Sequence, residues 1–183
     1  MKILIKNGTI VNHNGSEEAN VLIEGDRISK ITRECPAADR VIDAAGKLVM
    51  PGLIDMHVHF RDPGLEYKDD VISGSETAVA SGVTTCLPMA NTKPVNDNSS
   101  ITRAMIAKAK GRGLIDLLPI GAISQDCKGA KIVEMGDMLE AGCVAFSDDG
   151  LPVTDSSVMR QALEYSAHFG SFVINHSEDC SLC

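Results

Sequence analysis

The 183-residue sequence predicts an α/β fold, a small all-β module followed by a partial TIM-type (β/α) barrel of about five βα units. Three observations predict it. Short strand-like runs separated by turn residues fill the chain up to about residue 50. From Pro51 onward, near-continuous apolar runs alternate with helix-like segments at intervals of roughly 30 residues, the length of a βα unit. Candidate ligand residues fall at the C-terminal ends of three different runs, which favours a barrel over a doubly wound sheet, because barrel active sites are assembled there.

In the first module (residues 1–50) the runs are Ile3-Leu4-Ile5, Thr9-Ile10-Val11, Asn20-Val21-Leu22-Ile23, Arg27-Ile28-Ser29-Lys30-Ile31 and Val41-Ile42. Asn7-Gly8, Asn14-Gly15 and Gly25-Asp26 supply turn chemistry between them. In the second (51–183) the strand-like runs are 52–57, 83–89, 114–123, 143–147 and 171–176. Such apolar runs mean parallel strands covered on both faces. The helix-like segments are 70–80, 100–110, 131–141 and 156–169, followed by Gly82, Gly111, Gly142 and Gly170 at C-cap positions. Thr154-Asp155-Ser156 is good N-cap chemistry for the last. A closed barrel needs eight strands, and the sequence reaches Cys183 after five.

Composition narrows the function classes. A net charge of −8, scattered Lys and Arg and only 3% aromatic residues argue against nucleic-acid binding. No run approaches the roughly 18 apolar residues of a membrane span, and charge and glycine interrupt the N-terminus before a signal-type run develops. The expected location is cytoplasmic. Cys86 and Cys143 fall in runs predicted to be buried, where a reduced thiol acts as a small hydrophobe. Cys180 and Cys183 form a lone Cys-x-x-Cys with no second pair to complete a zinc site, so its spacing reads as coincidence.

The chemistry concentrates in His57-Val58-His59-Phe60-Arg61-Asp62-Pro63-Gly64. Residues two apart on a strand share a face, so His57 and His59 project together about 7 Å apart, within reach of one metal ion. Asp148 and Asp149 follow the fourth barrel strand and His176 ends the fifth, on the same rim. Imidazoles plus a carboxylate suit zinc with an open position for water. His13 and His168 have no such company and read as packed or surface residues. Arg61 has the fork geometry to take a carboxylate in bidentate fashion, with a surface salt bridge as the alternative. Asn91, past the second barrel strand, suits either a carbonyl or carboxylate contact or loop capping. Asn175 points away from the ligand face and reads as structural.

Pro51-Gly52-Leu53-Ile54-Asp55-Met56-His57-Val58-His59-Phe60-Arg61-Asp62-Pro63-Gly64-Leu65-Glu66-Tyr67-Lys68-Asp69 resembles the signature of class I dihydroorotases, members of the cyclic amidohydrolase superfamily. The resemblance continues through Gly82-Val83-Thr84-Thr85, Asn91-Thr92-Lys93-Pro94, Ala145-Phe146-Ser147-Asp148-Asp149-Gly150 and Asn175-His176-Ser177-Glu178-Asp179. Hydantoinases and allantoinases share the His-x-His but usually lack the Arg-Asp-Pro-Gly after it. The resemblance implies that the first module is part of a small β-sandwich. It implies one or two Zn²⁺ ions, with His57 and His59 on the first, Asp149 as ligand (bridging when two are present) and His176 on the second. It places Arg61 and Asn91 on the substrate α-carboxylate and selects Asp149 over Asp148.

The implied reaction is the interconversion of N-carbamoyl-L-aspartate and L-dihydroorotate in pyrimidine biosynthesis. A homo-oligomer or an aspartate transcarbamoylase partner is the implied association. There are departures. Ala90 stands where a proline is common, and the family's sixth-strand histidine and eighth-strand catalytic aspartate fall beyond Cys183. The expectation is therefore the N-terminal portion of a dihydroorotase, with unpaired strand edges, no catalytic acid–base of its own and doubtful activity alone. The rival readings are a hydantoinase or allantoinase, or a non-catalytic scaffold of the same fold.

Overall fold

A computed structural model describes residues 1–179 together with Ser181 and Leu182. The Cys180/Cys183 pair lies outside the described residues. The chain divides into two compact units, Met1–Pro51 and a second beginning at Gly52.

The first unit is a five-stranded sheet. β1 (Lys2–Asn12) pairs antiparallel with β2 (Gly15–Glu24), which pairs antiparallel with β3 (Arg27–Thr32). β4 (Arg40–Asp43) and the short β5 (Leu48–Val49) both run parallel to β1. Ile10, Ala19 and Val21 form its buried centre. The expected turn at Asn7-Gly8 is instead a bulge inside one continuous strand. The register slips between Ile5 and Gly8, Asn7 takes φ 63°, and its backbone N–H is satisfied by Asn20 Oδ1 at 3.0 Å. Gly8 lies close under β5, where a Cβ would stand 2.6 Å from Val49 Cγ2.

The second unit alternates strand and helix: β6 (Leu53–Val58), α1 (Val71–Ala80), β7 (Val83–Pro88), α2 (Ser99–Arg112), β8 (Asp116–Leu117), β9 (Ile120–Gly121), α3 (Met135–Ala141), β10 (Ala145–Phe146) and α4 (Ser156–His168). Its named strands pair in parallel among the described residues: β6 with β7, β7 with β8, and β9 with β10. The expected strand over 114–123 is broken because Pro119 has no N–H to donate. Before the break Leu118 N–H reaches Cys86 of β7; after it the Pro119 carbonyl accepts Val144 N–H beside β10. The fifth expected strand shrinks to one parallel bridge, Val173 with Phe146.

Asp70, Asn98 and Asp155 cap α1, α2 and α4, each accepting two backbone N–H groups at the first turn. α2 runs through Gly111 and ends at Gly113, whose φ of 63° supplies the left-handed cap. α3 starts at Met135 rather than 131. The preceding residues are held extended by Gln125 N–H to the Lys131 carbonyl and Val133 N–H to the Ile123 carbonyl.

The core follows the strands. Phe60, Val71, Cys86, Met105 and Leu117 pack between β7 and the first two helices. Ile123, Val133, Met135, Met138, Phe146 and Ala162 fill the space under α3 and α4. β6 departs from the fully covered strand that its sequence suggested: Leu53, Ile54 and Met56 are exposed. No helix among the described residues is long and apolar enough to cross a membrane.

Cys86 is buried in β7, as its sequence context suggested, whereas Cys143 is buried just ahead of β10. Burial pushes the Cys143 thiol up to about 11 and raises those of Cys86 and Cys127 as well. At pH 8 Cys143 is then thiolate to roughly one part in a thousand. Thiol labelling of the folded protein at pH 8, read by peptide mass spectrometry, should modify exposed Cys35 promptly and leave Cys86, Cys127 and Cys143 intact until denaturant is added. Rapid native labelling of any of the three would contradict the packing.

Candidate metal centre

Three loops on the C-terminal side of parallel strands build the site. The loop after β6 carries His59 and Arg61, the loop after β7 carries Asn91, and the loop after β10 carries Asp149. His57 lies within β6 itself.

The first loop is held at both ends. Asp62 is buried, accepts Val71 N–H at the start of α1 at 3.1 Å, and forms an ion pair with Lys108 of α2. That hydrogen bond holds the Lys108 ammonium above its usual range. A buried carboxylate paired in this way fixes position more than it adds stability. Further along, the Pro63 carbonyl accepts Lys93 N–H at 2.8 Å, which joins the first loop to the second. Gly64 has φ +92°, and a Cβ there would stand 1.6 Å from the Lys93 carbonyl oxygen. Only glycine fits that contact. Arg61, also at positive φ (55°), donates from Nη1 to the Asn91 carbonyl at 3.3 Å.

The adjacent acids in the third loop face opposite ways. Asp148 is buried and turned back, accepting Ile123 N–H at 2.7 Å, Ser124 N–H at 3.1 Å and the Ser124 hydroxyl. Asp149 is thereby turned toward the histidines. Its Oδ1 lies 3.4 Å from His57 Nε2 and its Oδ2 lies 3.5 Å from His59 Nε2. These distances exceed the usual hydrogen-bond range of about 2.7–3.2 Å. They match the separation of neighbouring ligand atoms on a tetrahedral cation bound at about 2.1 Å, which is about 3.4 Å. The donor atoms of His57, His59 and Asp149 all lie within 4.8 Å of one another. Two imidazoles and one carboxylate fit a divalent transition metal in chemistry and in spacing.

His176 approaches the same carboxylate oxygen as His57, with Nδ1 at 3.6 Å from Asp149 Oδ1, but it stands outside the three-residue group. Its Nε2 contacts Glu178 Oε2 at 2.9 Å, a partner that sequence reasoning overlooked although it stands two residues on in the chain. Asn175 is bonded locally to Ser177, and His13 and His168 are not members of the group. Asn91 reaches both halves of the group. Its Oδ1 lies 3.0 Å from His59 Nδ1, and its Nδ2 lies 3.2 Å from Asp149 Oδ2. The His57 and His59 rings meet edge to face, with centroids 5.1 Å apart.

Residues 46–183 match the sequence model of the dihydro-orotase-like family. The chain belongs to that family. A dihydroorotase of Geobacter sulfurreducens is 51% identical over the whole chain, and one of Geotalea daltonii is 51% identical as well. This chain spans 44% of the length of each of these curated relatives. Among solved structures, an L-hydantoinase (dihydropyrimidinase) from Arthrobacter aurescens superposes with a TM-score of 0.84 at 27% identity, over 97% of this chain and 41% of that one. A D-hydantoinase (dihydropyrimidinase) from Thermus sp. gives 0.73 at 29% identity, over 98% and 41%. The α/β fold of this dihydro-orotase-like chain is thus similar to that of hydantoinases.

Removing the shared carboxylate should empty the centre. After dialysis against a divalent transition metal, Asp149→Ala should retain less than a tenth of the parent's bound metal by elemental analysis, and His168→Ala should retain all of it. Equal retention by Asp149→Ala and the parent would place the metal elsewhere.

Proposed function

We propose that this chain carries the zinc-binding half of the active site of a cyclic amidohydrolase that interconverts N-carbamoyl-L-aspartate and L-dihydroorotate. The observation that carries the reading is the convergence of His57, His59 and Asp149 at 3.4–3.5 Å, beside an arginine on the same rim. His57, His59 and Asp149 would hold a first zinc, and Asp149 and His176 would hold a second. Bound zinc supplies Lewis acidity toward the ring carbonyl and acidifies a water.

The chain's own residues do the positioning. Arg61 takes the substrate α-carboxylate, exchanging its contact with the neutral Asn91 carbonyl for a charge-assisted pair. Asn91 turns to the same substrate group the amide hydrogen that now makes the longer contact, 3.4 Å, with the Asp149 backbone carbonyl, and keeps the other on the Asp149 carboxylate. Fixing the carboxylate at these two points sets the ring amide toward Asp149 and the histidines, so that binding energy is used for orientation. In the hydrolytic direction water adds to the ring carbonyl, the C–N bond breaks, and the departing nitrogen gains a proton. The proton carrier belongs to the part of such an enzyme that this chain does not match.

The same reading makes residues 51–183 part of a (β/α) barrel and residues 1–50 part of a small β-sandwich. It makes the protein cytoplasmic, with a homo-oligomer or an aspartate transcarbamoylase as its partner. A hydantoinase is the second reading, favoured by the superposition on hydantoinases and opposed by Arg61, which an uncharged ring does not need.

In active enzyme containing this chain, Arg61→Ala should raise KM for dihydroorotate roughly ten- to hundredfold, the worth of one charge-assisted contact. KM for dihydrouracil should change less than threefold. Equal losses on both substrates would remove the carboxylate clamp.

A further inference from the structure

Asn91 is the residue whose side chain joins two members of the metal-binding group, and its orientation is forced. Its amide nitrogen faces the Asp149 carboxylate at 3.2 Å and the Asp149 backbone carbonyl at 3.4 Å, both of them acceptors. The amide oxygen must then face His59 Nδ1, 3.0 Å away. An oxygen can only accept, so Nδ1 carries a proton, and in the singly protonated ring the lone pair is then on Nε2, 3.5 Å from Asp149 Oδ2. Two acceptors held face to face repel each other unless a cation sits between them.

From this we infer that Asn91, beyond any contact with substrate, is a positioning residue. Its carboxamide locks His59 in the Nδ1–H tautomer and restrains Asp149, so that a nitrogen lone pair and a carboxylate oxygen are presented to one cation. The inference rests on the metal-centre reading for its purpose and on hydrogen-bond polarity for its geometry. It gives the loop after β7 a role in metal affinity as well as in recognition. Because Arg61 donates to the carbonyl of the same residue, the clamp and the metal group are both anchored on Asn91.

Two readouts test it without turnover. The His59 tautomer is read by long-range ¹H–¹⁵N correlation in metal-free protein, and zinc affinity by chelator competition. Parent protein should show His59 as the Nδ1–H tautomer. Asn91→Ala should show a mixture, with zinc Kd raised about ten- to hundredfold, as for loss of other groups that orient metal ligands. The parent readout does not depend on the alanine variant folding: His59 as the Nε2–H tautomer in the parent would overturn the inference. A parent-like tautomer and zinc Kd in Asn91→Ala would overturn it as well. Should the parent bind no zinc while its tautomer is as predicted, the metal-centre reading fails and the Asn91 lock stands.

Discussion

Asp149 holds its carboxylate oxygens 3.4–3.5 Å from the imidazole nitrogens of His57 and His59, and the surrounding loops keep it there. Where an imidazole nitrogen presents its lone pair to such a carboxylate, the two repel unless a cation joins them. The protein therefore has to hold the arrangement by other means. It does so with Asp148, which is anchored to the backbone of the loop after β9 and leaves its neighbour no choice of direction.

The loop after β6 is held by the same logic. Asp62 ties it to α1 and α2, and Gly64 lets it press on the loop after β7 at a distance that no side chain allows. The Arg-Asp-Pro-Gly stretch is thus a unit in which each residue has a separate task. Arg61 donates to the Asn91 carbonyl, Asp62 is buried, Pro63 offers a carbonyl to Lys93, and Gly64 yields space. Parallel strands deliver these loops to one side because each βα unit returns the chain to the same edge.

The parts legible from sequence were those with a local cause. Alternation of apolar and helix-like runs marked α1, α2 and α4, Asp155 marked the start of the last, and the two-residue period marked His57 and His59 as neighbours. What escaped depended on distant partners. Gly111 looked like a helix end, but nothing in residue type separates it from Gly113, two positions on. Pro119 breaks the run over 114–123, but that its two halves pair with different neighbours was not legible. Residues 131–134 leave the helix because they are bonded to the loop after β9. Asp148 and Asp149 are identical in type and adjacent, so only their partners separate them. The bridging contact of Asn91 joins residues 32 and 58 positions apart, beyond any local pattern.

The direct test of the account is zinc-edge X-ray absorption on the reconstituted protein. A first shell of about four nitrogen and oxygen atoms near 2.0–2.1 Å, with imidazole outer-shell scattering, is the predicted result. Sulfur at about 2.3 Å would place the ion on cysteine thiolates and contradict a centre built on His57, His59 and Asp149.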